Sequence, residues 1–425
     1  MSWLQYERRE DSHVAWLGEI PKHWDAYRLK YCAALINVKT DGRESELRYT
    51  GLEHIESWTG KRIQGNNESA SDGLASRYKS GDVLFGKLRP YLAKVMRANE
   101  EGICTSELLV LRPELVSQGY LFYYMLAGDF ISIVDSSTYG AKMPRANWEF
   151  IGNLPGLVPP EDEQRAIAAF LDRETARIDA LIEKKQRQIE LLKEKRIALI
   201  SHAVTKGLNP DVRMKDSGIE WLGEIPEHWQ VFRAKVLFEE VDERSSTGDE
   251  ELLTVSHITG VTRRSEKEVN MFMAESMEGY KKCNQGDLVI NTMWAWMGAM
   301  GIAPEAGIVS PSYNVYRFRH GNCEPWYYDY LIRTGRFISE VICHSKGVWT
   351  SRLRLYPAEF FEIRMPYPPL QEQIQIINAI RHETGNYDEL ERKLLESIDM
   401  LLEYRTALIS AAVTGKIDVR EEVPA

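Results

Sequence analysis

WLGEIPKHW occupies Trp16 to Trp24, and WLGEIPEHW occupies Trp221 to Trp229, so one nine-residue phrase appears twice at a shift of 205. Working outward, Gly81-Asp82 of GDVLF returns at the same shift as Gly286-Asp287 of GDLVI. GICTSELLVLRP from Gly102 likewise lines up with GIVSPSYNVYRF from Gly307, with apolar residues and strand-like alternation falling together. After a small slip the shift becomes 209, pairing PPEDEQ (Pro159 to Gln164) with PPLQEQ (Pro368 to Gln373), and RIALISHAVT from Arg196 with RTALISAAVT from Arg405. The chain is a tandem duplication of a domain-sized unit, too long a period for a solenoid of short stacked repeats.

Each copy runs in the same order: the Trp-rich phrase, a globular region with strands and Gly turns, then one long helical segment. The expected architecture is α+β, two globular α/β regions joined by two long helices in a coiled coil, with a pseudo-twofold internal repeat. The expected boundaries are 12–158 for the first globular region, 159–205 for the first spacer helix and 206–216 for a linker. The second region then takes 217–367, the second helix 368–415 and a C-terminal tail 416–425. The linker opens KGLNPDVRMKDSG (Lys206 to Gly218), whose Gly, Asn-Pro and Ser-Gly mark a loop.

The helical segments carry a seam. From Leu171, alternating steps of four and three land on Thr175, Ile178, Ile182, Lys185, Ile189, Leu192, Arg196, Leu199 and Ala203. At the 209 shift the stations are Ile380, Thr384, Tyr387, Glu391, Leu394, Ile398, Leu401, Arg405, Leu408 and Ala412, with Leu395 and Leu402 read as widening the stripe. A 3.5-residue period asks for a partner helix, and the other copy supplies one. Pro159-Pro160 and Pro368-Pro369 fit just before or within a first turn, and Glu161, Asp162, Glu163 and Glu372 complement the positive helix end. Outward pairs such as Glu183 with Arg187 and Glu389 with Lys393 add i,i+4 support. About 45 residues at 1.5 Å each give a rod of roughly 65 Å. Two separate core helices, each packed on its own domain, are the alternative, and the polar stations Thr175, Lys185, Arg196 and Arg405 keep it open.

The formal net charge of −10 argues against a chain that grips nucleic acid unaided through bulk positive charge. Cys32, Cys104, Cys283, Cys323 and Cys343 are scattered with no CxxC pair, so they read as reduced core residues rather than a disulfide frame or zinc site. No signal-peptide pattern and no run of eighteen apolar residues is present, which gives a cytoplasmic expectation.

WLGEIPxHW opening each half, GDVLFGKLRPYLAKV, GDLVINTMWAWMGAMG, SRLRLYP, PPxxEQ before a long helix and the closing AAVTGKIDV together resemble the specificity (S) subunit of type I restriction-modification systems, the HsdS family. The resemblance covers about Ser12 to Arg420. It implies a non-catalytic DNA-reading subunit with two target recognition domains, each taking half of a bipartite asymmetric site. It also implies that the two long helices pack as an antiparallel coiled coil, a spacer that sets the distance between half-sites and docks two methyltransferase (modification) subunits, and through them restriction/translocase subunits. S-adenosylmethionine, ATP and Mg would then belong to those partners, with no cofactor and no metal in this chain. Independently of the resemblance, the sequence lacks an NPPY- or DPPY-type tetrapeptide, GxGxxG after a strand, GxxxxGK[ST] and HExxH.

Candidate DNA contacts follow from basic, turn-rich stretches. FGKLRPYLAK (Phe85 to Lys94) places Lys87, Arg89 and Lys94 around Tyr91, and GAKMPRANW (Gly140 to Trp148) adds Lys142 and Arg145. Such cations neutralise phosphates, and Arg also forks onto a guanine edge. A solvated loop whose arginine caps a strand is the plain alternative. In the second half NTMWAWMG (Asn291 to Gly298) replaces GKLRPYL, leaving Asn291 as a polar reader while Trp294 and Trp296 read more readily as core. SKGVWTSRLRLYP (Ser345 to Pro357) offers Lys346, Arg352 and Arg354, the two arginines on one face if extended; Arg264 in a Gly-Thr loop is a weaker candidate. Trp16, Trp24, Trp221 and Trp229 read as a hydrophobic clasp seating each globular region, with Gly18 and Pro21 bending the entry.

Overall fold

A computed structural model describes residues 4–42, 47–63, 73–140, 142–266, 276–349 and 352–422. Ala141 of GAKMPRANW and Thr350 and Ser351 of SKGVWTSRLRLYP therefore lie outside the described residues. The chain divides into two compact units, Met1–Gln186 with Leu394–Ala425, and Arg187–Lys393. Each unit holds one globular region, the first part of the long helix that follows it, and the last part of the other copy's long helix.

In the first unit an antiparallel sheet runs in the order Ala33–Ile36, Leu108–Pro113, Val83–Gly86, Val95–Arg97. The second unit repeats it as Phe238–Val241, Tyr313–Phe318, Leu288–Asn291, Met300–Ile302. The register repeats too: Val110 faces Ile36 as Val315 faces Val241, and Leu108 faces Gly86 as Tyr313 faces Asn291. The GD pairs explain themselves here. Buried Asp82 accepts from the Lys79 amide at 2.8 Å and from Arg112 at 2.8 and 3.0 Å, closing the turn before the strand. Asp287 does the same with the Asn284 amide and Arg317, at 2.8, 3.0 and 2.9 Å.

The long helices span Glu161–Lys206 and Leu370–Val413, beginning directly after the paired prolines. Every station of both 4-3 seams is buried or half-buried. Leu171, Ile178, Leu408 and Ala412 share the first unit's core, with Ile182 and Leu401 packed on it. Ala203, Ile376, Ile377 and Ile380 share the second unit's core. The helices are antiparallel within each unit. In the first, Arg405 reaches Asp179 at 3.1 Å; in the second, Lys193 reaches Glu391 at 3.2 Å and Arg196 pairs with Asp388. Polar stations are thus satisfied in the seam: Arg405, 4% exposed, also donates to the Trp58 carbonyl at 2.7 Å, and Thr175 bonds Leu171 O and Tyr123.

Three expectations are corrected. Leu395 and Leu402 do not widen the stripe but are exposed, because one residue past a seam position is turned about 100° around the helix. Arg187 pairs with Glu190, three residues on, at 2.8 Å rather than with Glu183, whereas Glu389 and Lys393 do pair at 3.1 Å. Four cysteines are buried, but Cys343 is exposed.

Candidate nucleic-acid interface

The repeated phrase anchors each globular region to two helix ends. Trp24 is buried and its indole N–H donates to Glu163 Oε2 at 2.8 Å; His23 bonds Glu163 Oε1 at 2.6 Å, and the Tyr6 hydroxyl donates to Oε2 at 3.2 Å. Arg420, in the tail after the second long helix, lies 3.6 Å from the same carboxylate. Glu163 is therefore a hub as well as a helix-dipole partner. The adjacent Gln164 accepts from the Ser117 amide at 2.6 Å and donates to Pro159 O at 2.8 Å, and Gln373 repeats this with the Glu324 amide and Pro368 O, both at 2.8 Å.

The opposite helix end enters from the other side. The Tyr120 hydroxyl donates to Val413 O at 2.9 Å in the first unit, and the Tyr327 hydroxyl to Val204 O at 2.7 Å in the second. Burial drives both phenols well above their ordinary pKa, so they stay protonated donors. Gly415 (φ +68°) packs on Pro21 and Trp24, and Gly207 (φ +80°) on Trp229 and Pro226, each turning the chain out of its helix where a left-handed residue is required. Trp221 stacks edge-on against Phe337 with centroids 5.5 Å apart, and Trp16 is half-buried near Tyr124.

On this frame two loops are stitched together in each unit. In the first, strand Val83–Gly86 runs into the GKLRPYL turn, where Arg89 takes a left-handed conformation (φ 51°) before Pro90. That conformation costs a non-glycine residue about 1–2 kcal/mol. It is held by the Arg89 amide donating to Pro144 O at 2.8 Å, beside Ala146 N to Lys87 O at 2.9 Å. Both acceptor and donor partners come from GAKMPRANW, where Arg145 exchanges backbone bonds of 3.2 and 3.1 Å with Tyr139, the residue before that stretch. The structure thereby brings together Lys87, Arg89, Tyr91, Lys142 and Arg145. Arg89, Tyr91 and Lys142 are exposed and Lys87 is half-buried; among the described residues none of the three cations Lys87, Arg89 and Lys142 has an ion pair. Arg145 differs, since Glu107 clamps its guanidinium at 3.1–3.2 Å and raises its pKa. Lys94 is turned away from this group. Its ammonium donates to Leu52 O at 2.7 Å and Ile55 O at 2.8 Å, and burial lowers its pKa, so it acts as a strut.

The second unit repeats the stitching with other side chains. Lys346 and Arg354 exchange backbone bonds of 2.9 Å, as Tyr139 and Arg145 do, and Leu355 N donates to Thr292 O at 3.2 Å where Ala146 N meets Lys87 O. Here Lys346 pairs with Glu359, and Arg354 folds onto Leu353 O at 3.0 Å. Arg352 is exposed, and among the described residues it has no ion pair. Asn291 is buried and its side chain accepts from the Met293 amide at 3.2 Å, which makes it a turn cap. Trp294 is half exposed, whereas Trp296 is half-buried and bonds Met293 O at 3.1 Å. Arg264 is apart in sequence, directly after the hairpin of Leu253–Ser256 and Gly260–Arg263, and its charge acts on Tyr313, the register partner of Asn291. Sequence reasoning passed over Tyr139, Met143, Val348 and Trp349, all exposed on the stitched loops. Their signal is a large apolar residue within three positions of a turn glycine, before it at Tyr139 and after it at Met143, Val348 and Trp349.

Among the described residues no three His, Cys, Asp or Glu side chains gather as a metal site, and no helix is long and apolar enough to cross a membrane. No protein-family model matches the chain. It is 28% identical over 169 residues to the type I restriction enzyme EcoDI specificity subunit of Escherichia coli, a match spanning 39% of this chain and 38% of that relative. It is 24% identical over 440 residues to the putative type I restriction enzyme MjaX specificity subunit of Methanocaldococcus jannaschii, covering 98% of this chain and 99% of the relative. In fold it is similar to the crystal structure of the HsdS subunit from Thermoanaerobacter tengcongensis, with a TM-score of 0.57, 18% identity, and 94% and 98% of the two chains covered.

Proposed function

Because the chain belongs with the specificity subunits of type I restriction enzymes in sequence and fold, we propose that each of its globular regions reads one half of a bipartite, asymmetric DNA site. The carrying observation is the pair of stitched loop clusters. They hang from the same strand ends and share the bonds Ala146 N to Lys87 O and Leu355 N to Thr292 O, yet one displays Lys87, Arg89 and Lys142 while the other displays Trp294, Trp349 and Arg352. One frame with two different sets of side chains is what two unlike half-sites require.

In this reading the chain does no chemistry. Two methyltransferase subunits dock on the long helices, restriction/translocase subunits join through them, and those partners hold S-adenosylmethionine, ATP and Mg. The paired helices act as the spacer between half-sites. With a net charge of −10, the chain binds DNA modestly by itself and relies on partners for further phosphate contacts. Methylome sequencing of a host expressing this chain with its methyltransferase reads the site directly. Exchanging residues 12–158 for those of another specificity subunit then changes one block of the modified motif and leaves the other; scrambling of both blocks refutes modular reading. Inserting about one helical turn in both long helices changes the number of unread base pairs, and an unchanged spacing refutes the spacer.

A further inference from the structure

We infer that the hairpin tip carrying Val348 and Trp349 is an apolar wedge that enters the base stack of the DNA half-site read by the second unit. The inference rests on the DNA-reading function proposed above and adds a mode of contact that the basic candidates do not supply.

Val348 is 93% exposed and Trp349 69% exposed, two consecutive large apolar side chains offered to solvent. Nothing in the second unit's core uses them, and leaving a Trp this open forfeits burial that a folded chain ordinarily takes. The described residues of this hairpin are held by backbone bonds. Its stem is closed by the two bonds between Lys346 and Arg354, and the Arg352 amide donates to Trp349 O at 2.8 Å. Gly347 sits at φ +156°, where an added Cβ would come within 2.7 Å of Arg352 O, so the turn is built around a residue with no side chain. The base is tied to Thr292, two residues before the half-exposed Trp294.

Charge complementarity selects the occupant. Arg352, exposed and without an ion pair among the described residues, follows Trp349 by three residues, and Lys346, itself paired with Glu359, precedes Gly347. The equivalent tip of the first unit carries Lys142 between Gly140 and the exposed Met143. Both tips therefore join apolar surface to cations, the combination that suits a polyanion with stacked apolar faces inside. Proteins that unstack duplex DNA use apolar side chains flanked by Arg or Lys in this way, and an indole stacks on any base without reading its edge. The wedge accordingly favours a readily unstacked pyrimidine–purine step in the second block.

The test uses the full chain with its methyltransferase subunits, against a randomised duplex library and then against the selected duplex with 2-aminopurine placed in turn at each second-block adenine. Wild type is expected to enrich two blocks and to brighten 2-aminopurine at one step. Trp349→Ala is expected to weaken binding roughly tenfold to a hundredfold, to lose the brightening and to blur the second block alone, with Trp349→Phe restoring most of each. Arg89→Ala should blur only the first block. If Trp349→Ala keeps affinity, brightening and both blocks, the wedge is wrong while the recognition function stands. If wild type enriches no blocks, the recognition function itself falls. Because Trp349 lies outside the core, an unchanged melting temperature of Trp349→Ala separates lost contact from lost fold.

Discussion

Removing the Glu163 carboxylate separates the two copies of the opening phrase energetically. Glu163→Ala leaves the buried Trp24 indole N–H and the Tyr6 hydroxyl without their acceptor and deprives His23 and Arg420 of a counter-charge. An orphaned buried donor costs about 1–3 kcal/mol, so two give a loss of roughly 3–5 kcal/mol, with the exposed partners adding little. Glu372→Ala is the matched control. Among the described residues the Glu372 carboxylate bonds only half-exposed His228, at 2.8 Å, and the Trp229 indole N–H already has no partner. Its loss should stay near 1 kcal/mol. A chain with two compact units need not unfold in one step, so the readout is amide exchange followed by peptide. Glu163→Ala should speed exchange about a hundredfold or more in peptides from Leu17 to Trp24 and Gln118 to Leu126, and far less in Leu222 to Trp229. Equal acceleration in the two variants, or a cost below about 1 kcal/mol for Glu163→Ala, refutes the hub.

The other expectations follow from the same frame. Tyr120→Phe and Tyr327→Phe each remove one buried bond to a helix-end carbonyl, at 2.9 and 2.7 Å, and should each cost about 1–2 kcal/mol, read as faster exchange in the last turn of the helix concerned. Gly415→Ala combines left-handed strain with a Cβ 2.3 Å from Pro21 Cδ and should cost about 3 kcal/mol; Gly207→Ala, whose nearest neighbour is the Glu372 carboxylate at 3.1 Å, should cost about 1 kcal/mol, and denaturant titration ranks them. Two carboxylates make opposite pH contributions. Asp418 is held below the usual carboxylate range by its hydrogen bonds from Arg420, so its stabilisation is present above the unfolded value and is lost as pH falls through the folded one. Burial raises Asp329, so its contribution is greatest below the unfolded value and declines as pH rises through the folded one; Asp329→Asn should flatten that slope in the second unit's stability as pH rises above the ordinary carboxylate range.

Periodicity made the seam legible, because burial on a helix repeats at a spacing that sequence alone exposes: Leu171, Ile178, Leu408 and Ala412 are core. The same counting failed one residue to the side, at Leu395 and Leu402, where an apolar side chain stands beyond the contact. Which helix end meets which globular region was not legible. Tyr120 with Val413, and Tyr327 with Val204, are contacts between distant segments that no local pattern encodes. Among the site candidates, FGKLRPYLAK and GAKMPRANW were found as separate basic stretches, but their joining depends on Arg89 N and Pro144 O. Lys94 and Asn291 fit the composition of a reader and serve the fold instead, because whether a polar tip faces water or a carbonyl is decided by the local backbone path.

The residues that recur at fixed shifts are those with structural duties: Asp82 and Asp287 closing a turn, Gln164 and Gln373 clamping a loop, Tyr120 and Tyr327 holding a helix end. The stitched loops are secured through backbone bonds, Ala146 to Lys87 and Leu355 to Thr292, which place almost no demand on the side chains beyond them. Lys87, Arg89 and Lys142 in one unit can therefore stand on the frame that carries Thr292, Trp294 and Trp349 in the other. Separation of that kind lets the proposed reading surface change while the helix and strand frame stays constant. It also explains why the two copies match most closely in WLGEIPxHW and least in the loops nearest the proposed DNA.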